Sequence, residues 1–339
     1  MFRLKTLSTL TAIALTSVAT LPVLAQDMPG EGKEITLAQP TWDTGWFQTE
    51  IFRQLATELG YSVAKPLTLD NAAFYQSVAM GDVSLWVDAW FPLHNSYKPA
   101  FEGAAEIIEG VVDGAAMEGY LVDKKTAEAM DITSIADFKR DDVKAAFDRD
   151  GDGKADMVAC PPGWGCELTI EHQMNAYELN EDINLIKAGY PAAMADALAA
   201  YQAGSPILFY TWTPNWTVND LVPGEDVVWI EVPEVNLQAD QADLTDAATR
   251  EGVVGCVNDP CMLGFPASSI DAVVNTTFLA DNPAVGALLE AFDLPIADIY
   301  AQNAEVNAGN TDIEGQAAAW IETNRDTVDA WLEAARAAS

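Results

Sequence analysis

Short apolar runs alternate along this chain with stretches in which apolar residues recur every third or fourth position, the pattern of strands interleaved with helices. Residues 34–38 read as a first strand, and 46–59 carry the i, i+3, i+4 spacing of a helix stopped at Gly60. Residues 61–65 read as the next strand, 74–80 as a short helix ended by Gly81, and 83–87 as a compact apolar strand. Further strands are predicted at 119–122, 206–210, 227–232 and 270–274. Short helical pieces fall at 135–138 and 143–147, and longer helices at 168–179, 192–201, 283–292, 316–323 and 327–337. Residues 233–260 are acidic, rich in small side chains and weakly periodic, so they read as an irregular insertion. Strands alternating with helices predict an α/β fold with parallel layers. The order suits two lobes. The chain crosses from the first to the second near residue 118 and returns near 262, giving one lobe from 26–118 and 262–339 and another from 119–261. Ligands of open α/β sheets sit beyond the carboxyl ends of strands, so the cleft between lobes is the expected site.

The N-terminus changes the compartment. Arg3 and Lys5 precede an apolar run from about 7 to 24 and a small-residue pattern, Val23-Leu24-Ala25, which together predict a cleaved signal peptide over 1–25 and a mature start near Gln26. No cysteine follows that point directly, so no lipid anchor is expected, and no later stretch offers the ~20 apolar residues of a membrane span. Cleavage removes two positive charges and no acids, taking the formal net charge from −35 to −37. Such acidity argues against nucleic acid or an anionic membrane as partner. An even count of four cysteines in an exported chain favours disulfides. Two local bridges, Cys160–Cys166 and Cys256–Cys261, are the simplest of the three connectivities.

Candidate chemistry gathers where tryptophan stands beside proline or glycine: Trp90-Phe91-Pro92-Leu93-His94, Cys160-Pro161-Pro162-Gly163-Trp164-Gly165-Cys166, and Trp212-Thr213-Pro214-Asn215-Trp216. A quaternary ammonium has no hydrogen to donate and is best held by aromatic faces, each worth roughly 0.5–2 kcal/mol, so several rings are needed. Trp90, Trp164 and Trp212, placed in loops by this reading, are the candidates. Trp42, after a predicted strand, is a further cleft residue, while Trp46, Trp86 and Trp216 are open between site and support. Trp229, Trp320 and Trp331, set in strand or helix patterns, read as core. The amides of Gly165 and Cys166 fall at a predicted helix start, where free N–H groups and the helix dipole favour a carboxylate. His94 could add a donor there, and His172 reads as structural. Asp148, Asp150, Asp152 and Asp156 match the early positions of a calcium loop, but position twelve is Ala159, so any calcium would be weak and structural. No nucleophile elbow, HExxH or phosphate loop is present, which leaves a binding protein rather than an enzyme.

Taken in order, Trp90 to His94, Gly151-Asp-Gly-Lys-Ala-Asp156, Pro162 to Cys166, Tyr210-Thr-Trp-Thr-Pro214, Asp226-Val-Val-Trp229 and Ala297-Asp-Ile-Tyr-Ala-Gln-Asn-Ala304 resemble the periplasmic glycine betaine/proline betaine-binding proteins of ABC importers, the ProX type, OpuAC-like. The resemblance implies a type II periplasmic binding protein fold that closes by hinge motion on a ligand in the interlobe cleft. It implies that Trp90, Trp164 and Trp212 box the trimethylammonium group while the Gly165 and Cys166 amides and His94 hold the carboxylate. It further implies a monomer without cofactor that serves a membrane permease and ATPase. Choline or another quaternary ammonium solute is the alternative ligand, and a secreted calcium-dependent enzyme the alternative class. Residues 233–261, with the second cysteine pair, depart from the family pattern, as do Phe91 and the Trp42/Trp46 pair.

Overall fold

The computed structural model describes residues 28–339, so the signal segment 1–25 and the mature start at Gln26 lie outside the described residues. Seven strands form one sheet: β1 (Leu85–Phe91), β2 (Ala105–Asp123), β3 (Ala155–Val158), β4 (Ile183–Ile186), β5 (Leu208–Thr213), β6 (Val227–Ile230) and β7 (Ser268–Asn275). Its spine is β2, which runs for 19 residues. The first part of β2, Ala105 to Ala116, pairs antiparallel with β7, and β7 pairs antiparallel with β1 on its other side. From Met117 onward β2 changes partners and pairs antiparallel with β5 and β6. Parallel pairing within this sheet is confined to β3, which lies between β4 and β5.

The sheet is therefore mixed, where alternating elements predict parallel layers. The reason lies in β2: one strand passes from one arm of the sheet to the other without a crossover helix, and its neighbours in both arms return antiparallel. Most of β2 escapes a period-two reading because register shifts between Ser268 and Ala272 break the alternation, and Glu106 and Glu109 face outward among half-buried neighbours. Two further differences concern the site. Trp90 and Trp212 are strand residues, not loop residues, because β1 and β5 run on to Phe91 and Thr213. Both strands are buried along their whole length, so no polar alternation marks where they stop. Pro92 and Pro214, each following a cis peptide bond, come directly after them. The 233–260 stretch also holds more order than its composition predicts: 3₁₀ turns over Ala239–Ala248, then Thr249–Arg250 paired with Cys261–Met262.

The longer helices are α1 (Trp46–Glu58), α2 (Asn71–Met80), α3 (Gly165–Ala176), α4 (Tyr190–Gln202), α5 (Pro283–Ala291), α6 (Ile296–Asn307), α7 (Ile313–Thr323) and α8 (Arg325–Ala337). Apolar spacing explains how they dock. In α1 the buried residues Phe47, Ile51, Phe52 and Leu55 fall on one stripe, and in α8 so do Val328, Trp331, Leu332 and Ala335. Both disulfides form: Cys160–Cys166 and Cys256–Cys261, with Cα separations of 5.8 and 6.0 Å.

Trp331 packs edge-on against Phe292 at 5.4 Å and stacks on Trp320 at 6.0 Å, and Trp229 is fully buried, in line with the core role their patterns predict. Trp331→Ala should lower the unfolding free energy in urea by about 3 kcal/mol through lost burial and a residual cavity. A loss under about 1 kcal/mol would mean that this helix pair carries little of the fold.

Candidate functional site

The carboxyl ends of β1 and β5 bring Trp90 and Trp212 to one small cavity, and the residue before α3 adds Trp164. Trp42 and His94 line it as well, so the predicted site residues converge. Trp164 stands 5.3 Å from Trp42 and 5.5 Å from Trp212, with interplanar angles of 70° and 77°. Near-perpendicular rings make walls rather than a stack. Their N–H edges are tied elsewhere: Trp42 Nε1 donates to Asp88 at 2.6 Å, Trp164 Nε1 to Thr41 at 2.8 Å and Trp212 Nε1 to Thr44 at 3.2 Å. With the polar edges engaged, what the rings can offer the cavity is π-face, which attracts cations. Trp86 is a support: it stacks on Phe74 at 3.9 Å and meets Trp42 edge-on at 5.9 Å. Tyr190 backs Trp212 at 4.7 Å and donates to the Tyr210 carbonyl. Trp46 donates to the Pro40 carbonyl, and neither it nor Trp216 lines the cavity.

Opposite chemistry occupies the start of α3. Trp164 is its N-cap and supplies no side-chain oxygen, and the N–H groups of Gly165 and Cys166 take no acceptor among the described residues. The Cys160–Cys166 bridge ties this first turn to the residues following β3. Glycine at 165 is a steric requirement, since a Cβ there would lie 2.7 Å from His94 Cδ2 and 3.0 Å from Leu93 Cγ. Glu167, in the same turn, is turned away to the Gly163 N–H and to Lys187.

His94 is buried, and burial pulls its pKa down to about 3, so the ring is neutral at ordinary pH. The Trp90 backbone N–H donates to Nδ1 at 3.1 Å, with the Tyr75 hydroxyl at 2.8 Å. A nitrogen that accepts from an amide carries no proton, so the proton sits on Nε2. The Asn71 amide lies 2.9 Å from Nε2 and accepts that proton when its oxygen is turned to the ring. The Nε2 side of the ring is also the side that faces Gly165.

Two buried carboxyls belong to this neighbourhood without having been marked by the sequence pattern. Asp88 accepts from Trp42 and from Gln48 at 2.7 Å, and Glu118 lines the cavity and accepts from the Tyr210 hydroxyl at 2.7 Å. Burial raises each to about 7. A lone acid within an otherwise apolar strand is the available signal for both.

The remaining candidates lie elsewhere. Carboxylate oxygens of Asp148, Asp150 and Asp156 come within 4.8 Å of one another, but Asp152 stands outside that group, a correction to the four-ligand expectation. Asp152 instead accepts from Lys154 N–H, Asp148 accepts backbone N–H groups of Gly151, Asp152 and Gly153, and Asp156 accepts from Arg149 N–H and Asn184. His172 meets Asn236 at 2.8 Å, away from the cavity.

A family model described as the substrate-binding domain of ABC-type glycine betaine transport systems matches residues 33–323. The chain belongs to that family. It is a family of transporter substrate-binding proteins, not of enzymes. The chain is 38% identical over 331 residues to the glycine betaine/proline betaine-binding periplasmic protein of Salmonella typhimurium, covering 96% of this chain and 97% of that one. It is 39% identical to the glycine betaine-binding periplasmic protein OusX of Dickeya dadantii, covering 96% and 97%. Among solved structures, lactococcal OpuAC closed on glycine betaine superposes with a TM-score of 0.68 at 22% identity, covering 88% of this chain and 99% of that one. An ABC-transporter choline-binding protein in complex with choline superposes at 0.66 and 17% identity, covering 88% and 91%. These likenesses establish the type II periplasmic binding protein fold. Among the described residues no helix is long and apolar enough to cross a membrane.

The two buried carboxyls make stability depend on pH in a stated direction. A carboxyl whose folded pKa lies above its unfolded value stabilises the fold while protonated, and that contribution disappears as pH rises through about 7. Ordinary carboxylates are already ionised at pH 6, so the protein should be less stable at pH 8 than at pH 6 by about 3 kcal/mol, roughly 1.4 for each group. Urea denaturation at the two pH values checks this, and equal or greater stability at pH 8 would contradict it.

Proposed function

We propose that this protein captures glycine betaine or a closely related quaternary ammonium zwitterion outside the cytoplasm and delivers it to the permease and ATPase of an ABC importer. One observation carries the reading: a box of near-perpendicular tryptophan faces adjoins two unpaired backbone N–H groups at a helix start. A trimethylammonium group offers only methyl surface with a diffuse positive charge, which matches π-faces at roughly 0.5–2 kcal/mol per ring. A carboxylate matches N–H donors at the positive end of a helix dipole. In this reading Trp90, Trp164 and Trp212, with Trp42 beside them, hold the cation. Gly165 and Cys166 N–H hold the anion, with the His94 Nε2 proton shared between it and the Asn71 amide oxygen. The names of the relatives, which specify glycine betaine and proline betaine, support the same ligand class.

The partner change along β2 near Ala116 and Met117, and the return of the chain to β7, support lobes of 26–118 with 262–339 and of 119–261, with the cavity where they meet. The site contains elements of both: Trp42, Trp90 and His94 from the first, Trp164 and Trp212 from the second. Hinge closure would thus complete the box. Periplasmic placement follows from the predicted cleavable N-terminus and agrees with the relatives' names. Because its carboxylates accept the loop's own N–H groups, the Asp148–Asp156 turn is read as structural, without need of calcium.

Isothermal titration against glycine betaine, proline betaine, dimethylsulfoniopropionate and choline tests the assignment. The zwitterions should bind more tightly than choline, which leaves the Gly165 and Cys166 donors unmatched. Choline binding without glycine betaine binding would overturn the carboxylate half of the site. Trp164→Ala should weaken glycine betaine at least tenfold, a loss of about 1.4 kcal/mol or more. Gly165→Ala, whose new methyl group presses on His94, should weaken it as much while far-ultraviolet circular dichroism stays unchanged. Wild-type affinity in either variant would count against the site as drawn.

A further inference from the structure

Glu118 is the acidic side chain among those lining the cavity. β2 and β5 pair with Glu118 opposite Trp212 and Tyr120 opposite Tyr210. Directly opposed residues of an antiparallel pair project from the same face with Cβ atoms about 5 Å apart, so the Glu118 side chain stands beside the Trp212 wall, at the cation end. Oε2 accepts from the Tyr210 hydroxyl, whereas Oε1 is buried without a partner among the described residues. No cationic side chain offsets the carboxyl among the described residues. A buried acid in such surroundings keeps its proton; a permanent cation placed next to it favours the ionised form instead.

We propose that Glu118 is the counter-charge of the cation end, protonated in the empty cleft and ionised beneath the bound quaternary ammonium, so that capture of the ligand expels a proton. The inference rests on the quaternary ammonium reading above and deepens it. The carboxyl O–H bond breaks, the proton passes to solvent, and the carboxylate left behind balances the ligand's positive charge. Nothing is oxidised or reduced.

Among the groups near this carboxyl, Asp88 is also held near 7, and burial raises Asp43, which lies close enough to Tyr190 to act on it. From β5 comes Tyr210, from its own strand Tyr120 and from α4 Tyr190, and burial raises all three hydroxyls above their ordinary range. His94, across the cavity, stays neutral down to about 3. Arg250 reaches the Ala116 carbonyl, two residues along β2. From α3, Gln173 takes the Tyr120 hydroxyl and Glu167 is paired with Lys187. Asp88, behind Trp42, also sits near 7, but it is engaged by both Trp42 and Gln48.

Titration of the full chain with glycine betaine at pH 6 in phosphate and in bis-tris, buffers of different ionisation enthalpy, measures the proton directly. About 0.8 proton should leave per ligand at pH 6 and close to none at pH 8.5, with affinity rising about twentyfold between pH 5.5 and 8. In Glu118→Gln the release should vanish, the affinity should become flat with pH, and binding at pH 8 should be about tenfold weaker than wild type. Glycine betaine binding whose heat at pH 6 is the same in both buffers would overturn the proposal while leaving the ligand assignment intact. Proton release that persists in Glu118→Gln would also overturn it, moving the proton to Asp88. Failure of glycine betaine to bind at any pH would instead bring down the ligand assignment, and the proton linkage with it. Should the variant not fold, the two-buffer comparison on the wild-type protein decides alone.

Discussion

Two backbone N–H groups without acceptors among the described residues, at Gly165 and Cys166, set the terms for what surrounds them. Donors left unpaired in a buried place cost roughly 1–3 kcal/mol each relative to solvated ones. Several features hold them in position. The Cys160–Cys166 bridge ties the first turn of α3 to the segment after β3, Glu167 is drawn away to Lys187, and the absence of a Cβ at 165 lets His94 approach. Trp164, the residue that caps the helix, is at the same time a wall of the aromatic box. On the proposed reading, the anion end and the cation end thus share one short segment. Any movement of α3 shifts both.

Hydrogen bonds bind the edges of three rings of the box. Trp164 and Trp212 reach to Thr41 and Thr44, on the far side of the cavity in sequence, and Trp42 reaches to Asp88. An indole whose N–H is fixed cannot spin to present that edge to the ligand, so the faces stay aimed inward. Two of these contacts join segments far apart in the chain, Trp164 to Thr41 and Trp212 to Thr44. On the two-lobe reading proposed above, closing the cleft and building the box would be one event.

Much of this was legible in the residues, for physical reasons that can be named. The Pro/Gly-flanked tryptophans, the helix start after Trp164 and the local cysteine spacing were visible because glycine and proline punctuate the backbone in ways that survive tertiary context. The amphipathic helices α1 and α8 were visible because one face of each is solvated. What could not be read was what burial on both faces hides. β1 and β5 lack polar alternation, so Trp90 and Trp212 looked like loop residues; β2 carries bulges and outward acids, so its first part looked like no element at all. Glu118 and Asp88 were missed because a single acid in an apolar run has no period, and because only the paired register of β2 and β5 shows that Glu118 stands beside Trp212. The acidic Asp148–Asp156 run carries two signals at once. Its spacing suggests an ion, while its oxygens already accept the loop's own amides.

The measurement that bears most directly on the account is a crystal structure of the protein grown with glycine betaine. The account predicts the trimethylammonium group between the faces of Trp90, Trp164 and Trp212 and the carboxylate within hydrogen-bond distance of Gly165 and Cys166 N–H. A ligand bound in the reverse orientation, with its carboxylate against the tryptophans, or bound outside this cavity, would contradict it.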